Sequence, residues 1–160
     1  LFCEREFGDR GLPTSFAQHS LSVTPRRGTV RGLHFQRPPH AETKLVRSIH
    51  GTILDVVVDL RTDSPTYRRS FAIELDDRST RGLLIPPGFA HGFQALTDDV
   101  RLLYLITPEY APAFADGVRF DDPAFEIRWP LQPIGLSERD RSWSDWESRS
   151  LLPFANGACS

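Results

Sequence analysis

The 160-residue chain contains no methionine and only two cysteines, Cys3 and Cys159, one near each end. That leaves no disulfide framework and no cysteine spacing suited to structural zinc. A reducing, cytoplasmic setting is the expectation that follows. An excess of either charge is also lacking: 19 Lys and Arg against 21 Asp and Glu give a net charge of −2. Such a balance offers no electrostatic basis for holding nucleic acid or an anionic membrane. No apolar run is long enough to span a bilayer, because the stretch "ILDVVVDL" is interrupted by Asp55 and Asp59. No secretory signal opens the sequence, and neither an internal repeat nor a βαβ unit is visible. Because the chain begins at Leu1 without a methionine, further residues are expected to precede it.

What is present describes a globular chain, with 39% hydrophobic and 25% charged residues. The length suits one domain over residues 1–160, of which 151–160 read as a loose tail. Thirteen prolines and 11 glycines cut the chain into short segments, which favours strands over helices. In 51–60 the run Leu54, Val56, Val58, Leu60 alternates with Asp55, Val57, Asp59. A turn follows at Asp63-Ser64-Pro65-Thr66. Phe71, Ile73 and Leu75 alternate next, and Leu83 and Ile85 run into a Pro-Pro-Gly break. Val100, Leu102, Tyr104 and Ile106 share a further face. Many short strands at this spacing predict an all-β sandwich or barrel, with a short helical turn or two in 136–150.

Two segments carry candidate chemistry. "RGLHFQ" (31–36) sets a histidine between Leu33 and Phe35. On a regular strand Arg31 and Leu33 would point away from Gly32 and His34. Polar groups would then occupy both faces, which is costly unless one face lines a polar cavity. A single histidine is more commonly a satisfied core residue than a base. In "IPPGFAHGFQ" (85–94) a rigid turn feeds Phe89 and His91, which share a face if extended. The spacing Pro86 to His91 has the form PxGxxH and resembles the second motif of the cupin barrels, although an ordinary turn between strands would read the same. Metal-binding cupins pair that histidine with an HxH motif and a glutamate, because divalent metals need several converging N and O ligands. Here "HAE" (His40, Ala41, Glu42) replaces HxH, with His34 six residues earlier, so no metal is expected. Lys44, Tyr104 and Asp140 taken singly read as a strand end, a packed tyrosine and a surface or capping residue.

Together these pieces are more specific. "GTVRGLHFQRPPHAETKLVRSIHGTILDVVVDLRTDSPTY", "IPPGFAHGF", "LLYLITPEY", "FDDPAFEIRWP" and "LSERD" occur in this order. The set resembles the dTDP-4-dehydrorhamnose 3,5-epimerase family from residue 18 to about 146. The resemblance implies a cupin-like jelly roll with a few short helical turns, a nucleotide-sugar substrate, no cofactor, and a homodimer. It implies His34 as general base, Asp140 as the carboxylate that orients it, and Tyr104 as general acid across the sugar ring. Arg31, Gln36, Lys44, His91 and Arg139 would bind substrate or the developing oxyanion, and Asp55 would support them from behind. The chemistry is consistent with these residue types. C3 and C5 of a 4-keto sugar both flank the carbonyl, so removing either proton gives an enolate charged on O4. That calls for a base near neutrality, for which histidine is suited, and for cationic donors at O4. Inversion needs a proton from the other face, hence a second group.

The sequence also departs from the family pattern. Ala115 stands where an acidic residue is usual, with Asp116 beside it. Glu42 replaces an uncharged residue, Leu105 a lysine, and Arg139 a lysine. A family segment ahead of "LFCEREF", bearing an arginine and a glutamate that touch the nucleotide, has no counterpart in these residues. Several readings therefore stand beside the 3,5-epimerase. They are C3-only epimerisation, 3,4-ketoisomerisation, a non-catalytic sugar-binding cupin, and a metal-dependent cupin oxygenase.

Overall fold

The Pro- and Gly-marked breaks fall between strands. The computed structural model describes residues 2–148. Its strands are β1 (Gln18–Thr24), β2 (Val30–Gln36), β3 (Thr43–His50), β4 (Thr52–Asp59) and β5 (Ser70–Asp76). They continue as β6 (Leu83–Ile85), β7 (Phe89–Ala95), β8 (Val100–Thr107) and β9 (Ala115–Gly117). Two short helices, α1 (Glu4–Gly8) and α2 (Glu138–Ser142), flank them. All strand pairings are antiparallel, in a four-stranded sheet β1-β8-β3-β6 and a five-stranded sheet β5-β4-β7-β2-β9. Many successive strands alternate between the sheets, as in a jelly roll. The fold is all-β and cupin-like, as expected. The helical turns expected in 136–150 are α2 and a 3-10 turn at Trp146–Ser148. The tail expected at 151–160 lies outside the described residues.

β4 is buried on both faces, which explains its near-continuous Ile-Leu-Val content. Ile53 packs between the sheets with Phe93, Val100 and Leu102, and Val57 packs there with Val46 and Ile85. On the opposite face Val56, Val58 and Leu60 meet Leu33, Phe35, Phe125 and Trp146. That second layer comes from the C-terminal third of the chain, folded back over the five-stranded sheet. Asp122 pins it. Its carboxylate accepts from the Ala124 N–H at 2.9 Å and from the Trp146 N–H at 2.7 Å. Since Trp146 is 4% exposed, truncating it to alanine would cost about 3–5 kcal/mol. The same layer carries α2, and with it Asp140, to the mouth of the sandwich.

β2 departs from regularity at one point. Arg31 lies opposite Phe93, yet His34 lies opposite His91, so three steps on β2 match two on β7. This is a β-bulge. It forms at Gly32, whose φ is +116°. A Cβ there would lie 2.5 Å from the Gly92 Cα and 2.7 Å from the His91 carbonyl oxygen, so only glycine fits. The bulge corrects the expectation that Arg31 and His34 point to opposite faces: one extra residue turns both to the same side.

Candidate active site

A cavity of about 400 Å³ opens between the two sheets at one end of the sandwich. Arg31, His34 and His91 line it from the five-stranded sheet, and Lys44 and Tyr104 line it from the four-stranded sheet. Asp140 lines it from α2. The His34 Nε2 is 2.6 Å from the Asp140 Oδ1, with the imidazole 45% exposed and the carboxylate 6% exposed. Ser137, the N-cap of α2, fixes the helix by accepting from the Asp140 N–H at 3.0 Å. Burial works to raise the Asp140 carboxyl, but His34, Ser137 and the Gly32 backbone outweigh it and hold the group below its ordinary value. A low-lying carboxylate keeps its charge beside the imidazole it touches.

A second histidine–carboxylate pair lies deeper. His91 Nε2 hydrogen-bonds Asp55 Oδ1, with the two side chains 4% and 0% exposed. Asp55 Oδ2 is buried without a hydrogen-bond partner among the described residues. The Tyr104 ring meets the His91 ring edge to face, with centroids 5.9 Å apart. Burial first, and then the Asp55 charge, push the Tyr104 hydroxyl well above its ordinary value, while Arg31 pulls the other way. Tyr104 therefore holds its proton at neutral pH, as a proton donor must.

Lys44 is 7% exposed. Its ammonium donates to the His34 carbonyl at 3.0 Å and pairs with the Glu42 Oε1 at 2.8 Å. Arg31 donates from Nε to the Thr24 hydroxyl at 3.0 Å, tying β2 to β1. These contacts pre-set both cations without an apolar clamp.

Two residues expected to bind substrate do not line the cavity. Gln36 is 2% exposed. Its amide nitrogen donates to the Glu42 carboxylate and its oxygen accepts from the Ala111 N–H, at 3.2 and 2.6 Å. It therefore braces the Glu42–Lys44 pair from behind. Arg139 is exposed and lies over the Trp143 ring, 5.2 Å from its centroid. On α2 it points away from the side that carries Asp140 inward. Conversely, Gln18, Ser20 and Ser22 on β1 line the cavity and were not singled out from sequence. Their signal is an inverted strand pattern, with polar residues at every second position while Leu21 and Val23 face outward. The four residues weighed as metal ligands are each engaged separately: His34 with Asp140, His91 with Asp55, Glu42 with Lys44, and His40 against the Phe114 ring. Among the described residues, no three His, Cys, Asp or Glu side chains gather as a metal-holding group.

Known proteins of one family are similar to this chain. The model of the dTDP-4-dehydrorhamnose 3,5-epimerase family matches residues 1–148. The dTDP-4-dehydrorhamnose 3,5-epimerase of Methanothermobacter thermautotrophicus is 44% identical over 145 residues, 89% of this chain and 77% of the relative. The crystal structure of the Bacillus anthracis dTDP-4-dehydrorhamnose 3,5-epimerase, with TDP and PPi bound, superposes with a TM-score of 0.87 at 38% identity. That alignment covers 90% of this chain and 82% of the other. A 3'-monoepimerase from Streptomyces bikiniensis in complex with dTDP-quinovose gives a TM-score of 0.81 at 35% identity, over 87% of this chain and 71% of its own. A family match running through every described residue, together with relatives this similar, means that the chain belongs to the dTDP-4-dehydrorhamnose 3,5-epimerase family.

Proposed function

We propose that this protein epimerises a dTDP-linked 4-keto-6-deoxy sugar at C3 and C5, with His34 as base and Tyr104 as acid. One observation carries the reading: an imidazole with a carboxylate partner and a protonated phenol face a single cavity from opposite sheets. His34 takes the proton from the carbon next to the carbonyl, and the electron pair moves onto O4 as an enolate. Asp140 stabilises the imidazolium that results. Arg31 and Lys44 supply positive charge and donors for O4, and His91, braced by Asp55, faces the same cavity. The Tyr104 hydroxyl then delivers a proton to the opposite face of the carbon, the enolate reverts to the ketone, and the centre is inverted. The imidazolium then gives its proton to solvent and the tyrosinate takes one back, and ring rotation within the cavity presents the second carbon to the restored pair.

The test is incubation of the protein with dTDP-4-keto-6-deoxyglucose in deuterated water, followed by NMR. Label at both C3 and C5 with an inverted product supports 3,5-epimerisation. Label at C3 alone identifies a 3-epimerase. Binding without label would leave a sugar-binding barrel and overturn the reading.

A homodimer is proposed with it. β1 is the edge of the four-stranded sheet, and Leu21 and Val23 on its outward face are 57% and 49% exposed. An apolar edge of this kind is stabilised by pairing with another chain. Sedimentation of the wild type against Leu21→Lys measures it: a monomeric wild type ends the proposal. A cytoplasmic setting is proposed on the free, exposed Cys3.

A further inference from the structure

Asp140 rides on a helix of five residues, too short to hold its own position. Something outside the helix must fix it on His34. At the N-terminal end the Ser137 hydroxyl does so. At the C-terminal end the chain leaves the helix through Trp143, whose backbone is already extended at φ −60° and ψ 132°. The Trp143 indole lies directly on Gly117 of β9: a Cβ on that glycine would sit 2.6 Å from both the indole Nε1 and Cε2. Gly117 in turn pairs with His34 across β2 and β9. The indole therefore rests on the bare backbone beside the residue that carries the base. Arg139, one position before Asp140, lies over the same ring.

We propose that Trp143, seated on Gly117, is the positioning residue that holds the Asp140 carboxylate on the His34 imidazole. It does not line the cavity and acts through Asp140. Three features support this. Gly117 lacks the Cβ that would lift the ring, the helix is pinned at both ends with Asp140 between the pins, and the pinning surface is the neighbour strand of His34 itself. A large aromatic suits the task, since a flat ring with two rotatable angles makes a wide contact at low entropic cost. The inference rests on the assignment of His34 and Asp140 as a catalytic pair.

The experiment uses the full chain and four variants: Trp143→Leu, Trp143→Phe, Asp140→Asn and the double variant Trp143→Leu/Asp140→Asn. The first readout is deuterium exchange into dTDP-4-keto-6-deoxyglucose. Trp143→Leu is expected to lose roughly 10²-fold, the penalty of a misplacement of about 1 Å at a catalytic group. Trp143→Phe, which keeps a flat ring, recovers most of that loss. The double variant is no slower than Asp140→Asn alone, because Trp143 has nothing left to position. The second readout needs no substrate. The NMR titration of His34, identified by its absence in His34→Asn, moves in Trp143→Leu towards the midpoint seen in Asp140→Asn. Additive losses in the double variant, or a His34 titration that Trp143→Leu leaves at the wild-type midpoint, would overturn the proposal. If Trp143→Leu does not fold, Trp143→Phe carries the same cycle with a smaller loss, which must vanish in the Asp140→Asn background. A wild type that exchanges no label refutes the epimerase reading, while the His34 titration still decides the role of Trp143.

Discussion

Arg31 and His34 stand three residues apart on β2 and face one cavity, because the bulge at Gly32 inserts one residue between them. A regular strand would send one of the two to the outer layer, among Leu33 and Phe35. The bulge thus does with backbone what alternation alone cannot. It gathers His34 and Arg31 on one wall, while Leu33 and Phe35 remain in the core behind.

The Gly32 bulge should therefore be intolerant of any side chain. Gly32→Ala places a Cβ 2.5 Å from the Gly92 Cα at a φ of +116°. A cost of about 1–3 kcal/mol is expected from overpacking. Activity should fall further than stability, because any relief of the clash turns His34 or Arg31. Thermal melts paired with deuterium exchange check this. A variant that melts lower yet exchanges at the wild-type rate would mean that the bulge serves folding alone.

His34→Ala should abolish exchange and spare the fold. The imidazole is 45% exposed, so its removal leaves no sealed cavity in the core. The loss expected for a general base is about 10²–10⁴-fold. Exchange kinetics and circular dichroism separate the two effects. Near-normal exchange in the variant would remove His34 from the reaction.

How much of this could be read from sequence differs by element. The strands around "ILDVVVDL" and "RLLYLI" were legible because turn residues bound them and apolar residues repeat within them. β1 was not, since its pattern is inverted, with Gln18, Ser20 and Ser22 facing the cavity and Leu21 and Val23 facing out. Hydrophobicity read as a guide to the interior points the wrong way in a strand that lines a polar site. The bulge was hidden for a different reason. A lone glycine in a strand signals irregularity without saying that a register shift follows, and the close approach to Gly92 exists only in three dimensions. Gln36 and Arg139 were expected at the substrate. The Gln36 amide is instead held by Glu42 and by the Ala111 N–H, 75 residues on, while Arg139 lies over Trp143 four residues along, a helical spacing that shows a contact is possible without saying which way the side chain turns.

The pH dependence of stability should carry the signature of Asp59. Burial disfavours its charge, but Arg61, Ser64 and Thr66 all bond the carboxylate and hold the group far below its ordinary value. A carboxyl depressed on folding stabilises the protein fully above its unfolded value of about 3.9. That stability is lost as the pH falls through the lower folded value. Asp59→Asn should thus be less stable at neutral pH and show a shallower fall in acid. Urea titrations at a series of pH values measure both. Parallel acid limbs for the two proteins would contradict the assignment.

Asp55 should control the proton on Tyr104. Its charge is one of the influences that raise the tyrosine, so Asp55→Asn should let Tyr104 ionise at lower pH. Ultraviolet difference titration reads tyrosinate directly, and Tyr104→Phe identifies which of the three tyrosines responds. An unchanged titration would mean that burial alone sets the shift.

Tyr104→Phe offers the sharpest separation of acid from base. The substitution deletes the hydroxyl and keeps the ring against His91, so packing changes little. His34 and Asp140 remain in place, and proton abstraction should continue. The enolate then lacks a donor on its far face and is reprotonated mainly from the side it left. Deuterium should accordingly wash into C3 or C5 faster than epimer accumulates, whereas in the wild type the two processes keep pace. A single time course by NMR follows both. Exchange and epimerisation falling together would assign Tyr104 to holding the substrate or the enolate, and undiminished epimerisation would make it a packed side chain. The wash-in result requires two separate groups acting on opposite faces of one carbon, and β2 and β8 bring His34 and Tyr104 to the shared cavity from different sheets.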